Sequence, residues 1–502
     1  PNQTSPKAFY DAMTATVRKR RRLVRSGGNA TVTQRPTPPS AASDAISDAS
    51  EPEPTVQPVA PPKTMGASPP MAVPSVQGFA QWNLERCPEV LEVIRSKWAQ
   101  KKRPLRIFSM YTGWGTSEMV AHAVQAEFKR LGLDVEFEVA WICEANVTKC
   151  RYLMSAFPDV PYIFTDASEV AEGIARDFRS GRKLVVPTDL DLGFVGYPCI
   201  DLSSLNVLPG QFMDTTTATG KGYSNMLKLV DRCDNLLFLG VENSANMWRK
   251  RKEDQFHRPI DIQDAAFRQR NFVSTSHCVS AHEFGPPQSR RRSWSLYFKS
   301  KTTGAAEASK IFLSFRCALV PLERFLEPTS SEGTTEEQHE AHGQAHGTKW
   351  VGQFEQLCSN LDQARLSKKV AEVTARQLPL TARELHVVAF AAYQLEGRGV
   401  DPEKRQVVIQ VDQNFGRSHR ADARIAPCII PKGKYVVTGA EKWRLLGTRE
   451  KCFLQGVGPA EIDAYQMEKR LSKRELSDMA GNAFTAQICL AALLTSLAVI
   501  DL

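Results

Sequence analysis

The stretch that decides the fold is residues 104–132, PLRIFSMYTGWGTSEMVAHAVQAEFKRLG. An apolar run is followed by a turn with two glycines and then by apolar residues spaced three and four apart, which predicts a strand, a tight turn and a long helix. The alternation continues through predicted strands at residues 135–144, 162–166, 189–198 and 236–243, with a helix predicted at residues 167–181 between the second and third of these. Strands separated by helices imply right-handed crossovers, so the sequence predicts an α/β fold with a doubly wound, mostly parallel sheet.

Composition divides the chain into four parts. Residues 1–78 are basic and then proline-rich, and we expect them to be disordered because such a composition cannot build a core. Residues 79–300 carry the alternation of strands and helices. Residues 301–435 lose it and are predicted to be an inserted domain, and residues 436–502 resume amphipathic helices that return to the sheet.

Positive charge is concentrated at the N-terminus. The chain has a net charge of +9, and residues 1–25 hold seven basic residues against one acid. Such a run is typical of a nuclear-import signal or a loose nucleic-acid tether, with a solvated tail as the plain alternative. We therefore expect a protein of the nucleus. The chain begins at Pro1 rather than Met, so we expect it to be a fragment.

Other compositional features exclude several classes of protein. The 11 cysteines form no CxxC pair, which indicates reduced thiols rather than disulfides or structural zinc. No stretch reaches the roughly 18 apolar residues of a membrane span, so no membrane partner is expected, and residues 486–500 are predicted to be a core helix. The spacing of His339, His342 and His346 is compatible with a metal, but their polar surroundings favour a solvated loop, and no metal site is predicted.

Three consecutive predicted strands end in residues suited to a nucleoside. Tyr111, Gly113 and Gly115 lie in the turn after the first strand, Glu144 ends the second and Asp166 ends the third. The carboxyl ends of parallel strands share one edge, where ligands of such folds bind. A glycine turn lets the backbone approach a ligand, and carboxylates accept hydrogen bonds from a ribose or an adenine amino group. The pattern favours an adenosine cofactor, with ordinary caps and turns as the alternative.

A thiol and a carboxyl group stand at the next two strand ends. Cys199 follows Pro198 after the fourth strand, and Glu242 lies at the end of the fifth. A lone cysteine is usually a small buried hydrophobe. Beside a carboxyl group at a ligand-binding edge, however, it suggests a nucleophile with a proton donor.

In their order along the chain, these motifs resemble those of the cytosine-C5 DNA methyltransferases. Residues 111–115 are similar to the family's F-x-G-x-G cofactor loop, residues 198–206 to its Pro-Cys nucleophile loop, and residues 242–244 to its Glu-Asn-Val strand. The resemblance covers about residues 105–300 and 424–502. Further similarities are to the Q-x-R-x-R motif at residues 287–292 and to the closing motifs at residues 426–431, 449–456 and 481–488.

The resemblance implies transfer of a methyl group from S-adenosylmethionine to C5 of a cytosine flipped out of double-stranded DNA. It implies that Cys199 bonds to C6 of the base and that Glu242 holds and protonates N3. Arg290 and Arg292 would bind the base and support the thiolate. Residues 79–300 would be the catalytic and cofactor-binding domain, and residues 301–435 the target-recognition domain. The implied cofactor site is lined by Tyr111, Gly113, Gly115, Glu144, Asp166, Pro198 and Asn482.

Three positions depart from the family pattern. Ile200 replaces the usual Gln after Pro-Cys, Ser244 replaces Val, and Phe453 replaces an Arg. That Gln ordinarily supports contacts with the base pair, so its loss leaves open a weakly active or non-catalytic DNA-binding relative. The RNA-methylating branch of the family is the other alternative, because the short motifs do not exclude it.

Overall fold

A computed structural model describes most of the predicted globular part of the chain. The predicted tail lies outside the described residues up to residue 73, as do the three histidines of the polar stretch, so those predictions stay untested. The described residues are 74–98, 103–202, 210–328, 349–412 and 421–501.

The fold begins slightly earlier than predicted. Helix α1 (Val76–Arg86) is capped by Ser75, whose Oγ accepts a hydrogen bond of 2.9 Å from the backbone N–H of Gly78. Phe79 is fully buried in the main core. The first described helix therefore begins two residues before the predicted tail boundary at residue 78, because an N-cap serine starts it ahead of the first strongly apolar run.

The predicted α/β fold with a doubly wound, mostly parallel sheet is confirmed. The seven-stranded central sheet has the order β3-β2-β1-β6-β7-β9-β8, in which β9 is antiparallel to both of its neighbours and the remaining pairs are parallel. The strands up to the insertion are β1 (Leu105–Met110), β2 (Phe137–Cys143), β3 (Ile163–Phe164), β4 (Ile174–Arg176), β5 (Lys183–Val185), β6 (Leu192–Val195), β7 (Phe238–Ser244), β8 (Val273–Ser280) and β9 (Arg291–Phe298).

Helices cover both faces of this sheet. Ile107 and Phe108, neighbours in β1, lie in two different hydrophobic cores because successive side chains of a strand point to opposite faces. These helices are α2 (Pro88–Trp98), α3 (Thr116–Arg130), α4 (Val147–Ala156), α5 (Ala167–Glu172), α6 (Ala218–Val230), α7 (Pro259–Arg268) and α8 (Ala305–Ser314).

A predicted helix at residues 167–181 is mostly a hairpin. Helix α5 ends at Glu172, and Gly173 follows with φ +96°, a left-handed conformation that terminates a helix. Strands β4 and β5 then form a two-stranded sheet. The side chain of Asp177 accepts backbone hydrogen bonds from Ile163 and Ser180, which ties this hairpin to β3.

The insertion starts and ends later than predicted. Helix α8 and Phe325 pack in the main core, although they follow the predicted boundary at residue 301. The small sheet of the insertion continues to Leu445, past the predicted boundary at residue 435. Apolar residues at 305–326 bury against the α/β domain, which the loss of strand–helix rhythm did not reveal. The insertion contains α9 (Lys349–Cys358), α10 (Gln363–Thr374), α11 (Ala382–Gly397), β10 (Val408–Gln410), β11 (Tyr435–Val437) and β12 (Arg444–Leu445).

The two ends of the insertion meet. The carbonyl oxygen of Glu327 accepts a hydrogen bond of 3.1 Å from Nη2 of Arg444, and its N–H donates to Oε1 of Glu450 at 2.8 Å. Arg444 and the fully buried Glu450 also form an ion pair. The chain therefore leaves and re-enters the α/β domain at one place.

The last helices close the α/β domain. Helix α16 is buried along its whole length and packs against α2, α3 and α8, which confirms the predicted core helix. Among the described helices, no single one is long and apolar enough to span a membrane, and α15 with α16 meets that test only as a pair bent by 47°. These helices are α12 (Thr448–Leu454), α13 (Pro459–Ala464), α14 (Met467–Arg470), α15 (Lys473–Asn482) and α16 (Ala486–Val499).

Candidate active site

The ends of four parallel strands lie side by side at one edge of the sheet. The N–H of Tyr111 donates to the carbonyl of Cys143 at 2.8 Å, and the N–H of Glu144 donates to Phe164 at 3.0 Å. The N–H of Gly196 donates to Met110 at 3.2 Å. The sequence-predicted residues that follow β1, β2, β3 and β6 are thus brought to one crevice, as expected.

The turn after β1 is a backbone cradle. Tyr111, Gly113 and Gly115 have φ values of 59°, 68° and 83°, which is the left-handed region. The N–H of Gly113 donates to Oε2 of Glu144 at 3.3 Å, so the first two strand ends touch directly. The other oxygen of Glu144 accepts from the N–H of Asn146 at 2.9 Å. Both predicted groups therefore line the same surface.

A buried carboxyl group that sequence reasoning missed braces this turn. Glu118, in the first turn of α3, is fully buried and accepts hydrogen bonds from the hydroxyls of Thr112, Ser117 and Ser109. Burial raises the pKa of Glu118. Its position in the sequence, inside an amphipathic helix, gives the signature of an ordinary first-turn acid and no sign of this network.

The two outer members of the predicted cofactor site are less engaged. Asp166 is exposed and caps α5, with Oδ1 accepting from the N–H of Ser168 at 2.7 Å. The side chain of Asn482 is exposed and donates to the carbonyl of Asp478 at 3.0 Å. The carbonyl of Asn482 nevertheless lies 3.9 Å from the place a Cβ would occupy on Gly113, so the backbone at residue 482 flanks the glycine turn.

The thiol stands on the loop after β6. Cys199 is partly exposed, and the preceding Tyr197 is buried with its hydroxyl donating to Oε1 of Gln263 at 2.5 Å. The amide of Asn243, at the end of β7, donates to the carbonyl of Tyr197 at 3.2 Å. The end of β7 is therefore fastened to the loop that carries Cys199.

Beside the thiol, Glu242 and Arg292 form an ion pair. Oε1 of Glu242 lies 3.1 Å from Nε of Arg292, and both side chains are largely buried. Burial raises the pKa of Cys199, while the charges of Arg292 and Arg290 lower it and that of Glu242 raises it. In the protein alone desolvation outweighs the two arginines, so the net shift of the Cys199 pKa is upward.

Arg290 is bonded to the backbone of the closing motifs in this structure. It is buried, and its guanidinium donates to the carbonyls of Ile429 at 3.1 Å, Gly481 at 3.0 Å and Ala483 at 2.8 Å. These bonds use both terminal nitrogens on the backbone of the closing motifs. Arg290 is thus a positioning residue whose charge, rather than its hydrogen bonds, reaches Cys199.

Helix α6 completes the crevice, and sequence reasoning missed its role. A Cβ on Gly222 would lie 3.0 Å from Cδ of Pro198 and 3.5 Å from the hydroxyl of Tyr111. Asn225 of the same helix donates to Oγ of Ser168 at 3.1 Å. The available signal was the pair Gly220 and Gly222, since glycine is unfavourable inside a helix and marks close approach.

The chain is similar in sequence to a curated methyltransferase. No protein-family model matches the chain. The DNA (cytosine-5-)-methyltransferase DMT5 of Cryptococcus neoformans var. grubii is 24% identical over an alignment of 447 residues that covers 83% of this chain. The chain is similar to a cytosine-C5 methyltransferase. It spans 18% of the length of that curated protein.

Solved structures of methyltransferases are also similar to this chain. The S. pombe Dnmt2 methyltransferase is 12% identical, with a TM-score of 0.40 over 78% of this chain and 98% of its own. The Entamoeba histolytica methyltransferase EhMeth is 10% identical, with a TM-score of 0.39 over 79% of this chain and 98% of its own.

The three residues that depart from the family pattern have distinct environments in the structure. Ile200 is 61% exposed beside Cys199. The hydroxyl of Ser244 accepts from the N–H of Asn246 at 3.3 Å and so caps the short helix Ala245–Trp248. Phe453 is buried in the main core, which explains why an apolar residue stands where the family pattern has an arginine.

Proposed function

We propose that this chain is the catalytic part of a DNA (cytosine-5-)-methyltransferase that uses S-adenosylmethionine. The observation that carries the proposal is the ion pair of Glu242 with Arg292 beside Cys199, on the same sheet edge as the glycine turn. A nucleophilic thiol, a carboxyl group and a cation at one ligand-binding edge suit addition to an electron-poor ring.

The residues of the edge fit an adenosine-bearing cofactor. Glu144 is largely buried and uses one lone pair on each oxygen for a backbone N–H, which leaves further acceptor sites for ribose hydroxyls. Asp166 is exposed at the next strand end and has acceptor capacity for an amino group. S-adenosylmethionine bound there would supply a methyl group on a sulfonium, the electrophile that C5 of cytosine requires.

The protein side of the reaction follows from the positions of the groups. The thiol of Cys199 releases its proton to solvent, and its sulfur forms a bond to C6 of the base, which makes C5 nucleophilic. Glu242 holds N3 and relays to it a proton from solvent, which balances the charge there, and Arg292 keeps Glu242 in place. After methyl transfer a solvent base takes the proton on C5, the bond from C6 to sulfur breaks and releases the thiolate, and N3 returns its proton through Glu242.

The substrate must leave the stack for this chemistry. Sγ of Cys199 has to approach the face of the ring, which a base inside a duplex does not expose. We propose that the insertion, beginning after residue 328, supplies target recognition and that double-stranded DNA is the partner. A basic N-terminal tail would attract phosphates and direct the protein to the nucleus.

A second candidate function is DNA binding without turnover. It is favoured by the exposed Ile200 in place of Gln and by the burial that raises the pKa of the Cys199 thiol. Both features would slow the attack on C6 without disturbing the fold.

The decisive experiment is transfer of labelled methyl from S-adenosylmethionine to unmethylated duplex DNA, hemimethylated duplex DNA and tRNA in parallel. We expect label in DNA with the parent protein and none with Cys199→Ser. Cys278→Ser, which alters another partly exposed cysteine, is the matched control and should keep activity. Label in tRNA alone would assign the RNA branch. Binding of DNA with no label in any substrate would assign the second candidate.

A further inference from the structure

A basic loop with one exposed aromatic residue follows β7. Residues 249–258 read RKRKEDQFHR, and Arg249, Lys250 and Lys252 are exposed. Phe256 is 67% exposed, although burying such a ring away from water is favourable. We call residues 249–258 the basic loop. Basic groups around an exposed aromatic ring match the chemistry of nucleic acid, with phosphates for the charges and bases for the ring.

The exposed ring is held in an unfavourable backbone conformation. Gln255 and Phe256 have φ values of 53° and 63°, a left-handed conformation that is unfavourable for residues other than glycine. Backbone hydrogen bonds enforce it: the N–H of Phe256 donates to Arg251 at 2.8 Å and that of His257 donates to Asp254 at 3.0 Å. The loop therefore presents the ring to solvent in a fixed way rather than by chance motion.

Arg251 and Asp254 fasten the basic loop to the segment that carries Cys199. Nη2 of Arg251 donates to the carbonyl of Asp201 at 3.1 Å and to that of Gly210 at 2.7 Å. Oδ1 of Asp254 accepts a hydrogen bond of 2.6 Å from the N–H of Phe212. Nη1 of Arg251 and Oδ2 of Asp254 form an ion pair at 3.2 Å. Asp201 is two residues after Cys199, so the basic loop sits beside the proposed nucleophile.

The neighbours of these contacts are apolar and exposed as well. Ile200 directly precedes Asp201, whose carbonyl accepts from Arg251. Met213 directly follows Phe212, whose N–H donates to Asp254. They are 61% and 59% exposed. Three large apolar exposed side chains, those of Ile200, Met213 and Phe256, thus lie within two residues in the chain of the contacts that hold the basic loop.

We propose that the basic loop is a DNA contact in which Phe256 stacks on a base exposed when the target cytosine leaves the duplex, while Lys250 and Lys252 contact phosphates. The inference rests on the proposed function for the choice of DNA. A protein partner is the competing occupant, but the charges of the loop favour a polyanion, and the ring suits the flat face of an unstacked base.

The test of stacking compares Phe256→Ala with Phe256→Trp in the full chain. The probe is a labelled duplex whose single cytosine faces an abasic site, because such a base is the cheapest to unstack. We expect Phe256→Ala to bind this probe about tenfold more weakly and Phe256→Trp to bind it as tightly as the parent. Val185→Ala, at a residue 73% exposed on the β4–β5 hairpin, is the matched control and should not change binding.

The test of phosphate contact is the salt dependence of binding. Lys250→Gln combined with Lys252→Gln should reduce the slope of log affinity against log salt by about 2, while Phe256→Ala should leave that slope unchanged. Lys129→Gln is the control, because Lys129 lies in the last turn of α3, at the opposite edge of the sheet.

These results separate the inference from the proposed function. Parent protein that binds the probe, loses affinity with Phe256→Ala and transfers no methyl group would support the contact and contradict the proposed catalysis. The contact alone would be overturned if the parent transfers methyl groups, Phe256→Ala binds the probe as tightly as the parent, and the double variant of Lys250 and Lys252 keeps the parent salt slope. Parent protein that binds no duplex would overturn both.

Discussion

Glu242 and Arg292 face each other diagonally across the antiparallel pair β7 and β9, with Oε1 and Nε 3.1 Å apart. Arg292 has a second effect, because its charge is the largest influence that lowers the pKa of Cys199 against the burial that raises it. One guanidinium therefore both positions the carboxyl group and assists ionisation of the thiol.

Replacing Arg292 with Gln should raise the pKa of Cys199 further. The fraction of thiolate at a given pH would fall, so alkylation of Cys199 by iodoacetamide should require a higher pH, with the profile displaced upward. Mass spectrometry of the Cys199 peptide across a pH series measures this displacement. Arg291→Gln, at an exposed neighbour on the same strand, should leave the profile in place, and an unchanged profile for Arg292→Gln would refute the assignment.

A 5-fluorocytosine in the target DNA should trap the covalent intermediate. Fluorine cannot leave C5 as a cation, so the bond between C6 and Cys199 should persist after methyl transfer and survive denaturing electrophoresis. Cys199→Ser should abolish the adduct, because a serine hydroxyl is a far weaker nucleophile near neutral pH. Ile200→Gln should increase its yield if this departure weakens engagement. Absence of an adduct in parent protein that binds both cofactor and DNA would favour the non-catalytic candidate.

The two glycines of the β1 turn should respond differently to alanine. Gly115→Ala places a Cβ 2.5 Å from Cε2 of Phe157 at φ +83°, so it should lower the free energy of unfolding by more than the roughly 1–2 kcal/mol of backbone strain alone. Gly113→Ala has its nearest neighbours at 3.9 Å and should incur only the strain. Thermal unfolding ranks the two. Equilibrium dialysis with labelled S-adenosylmethionine should nevertheless show weaker binding by Gly113→Ala, since its Cβ would project at the proposed cofactor surface.

His277 should make the protein sensitive to acid. Burial, with the nearby charge of Arg316, lowers its pKa from 6.5 to about 4. The unfolded chain therefore binds more protons than the folded one between these values, so stability falls as the pH drops from 6.5 towards 4, by up to about 3 kcal/mol.

Urea unfolding at several pH values measures this loss. His277→Gln, which keeps an acceptor for the hydroxyl of Thr275, should be less acid-sensitive than the parent. The exposed His257→Gln is the matched control and should retain the parent slope. Equal slopes in all three proteins would contradict the role of His277.

The strand–turn–helix units and the residues at the ends of β1, β2, β6 and β7 were predictable from the sequence, because periodicity and turn chemistry are local. The sequence did not predict the hairpin that follows α5, where Gly173 and the buried Asp177 override helical propensity. It also could not assign Arg290 to backbone carbonyls at residues 429, 481 and 483, since that choice depends on how distant segments pack. The contacts of Arg251 with Asp201 and Gly210 were out of reach for the same reason.

The hydrogen bonds of Glu327 with Arg444 and Glu450 hold the first and last residues of the insertion together, which favours its exchange as a unit. Because entry and exit are already joined, a foreign module grafted between residues 328 and 443 would need no long linker and would impose little strain on its host. Such a module would also have to reproduce the segment around Ala426 and Ile429, which bonds to residues 287–290, and the side chains of Val408, Tyr435 and Val437, which pack in the main core. Under the proposed function, this exchange between relatives would transfer sequence preference while the chemistry stays with the host.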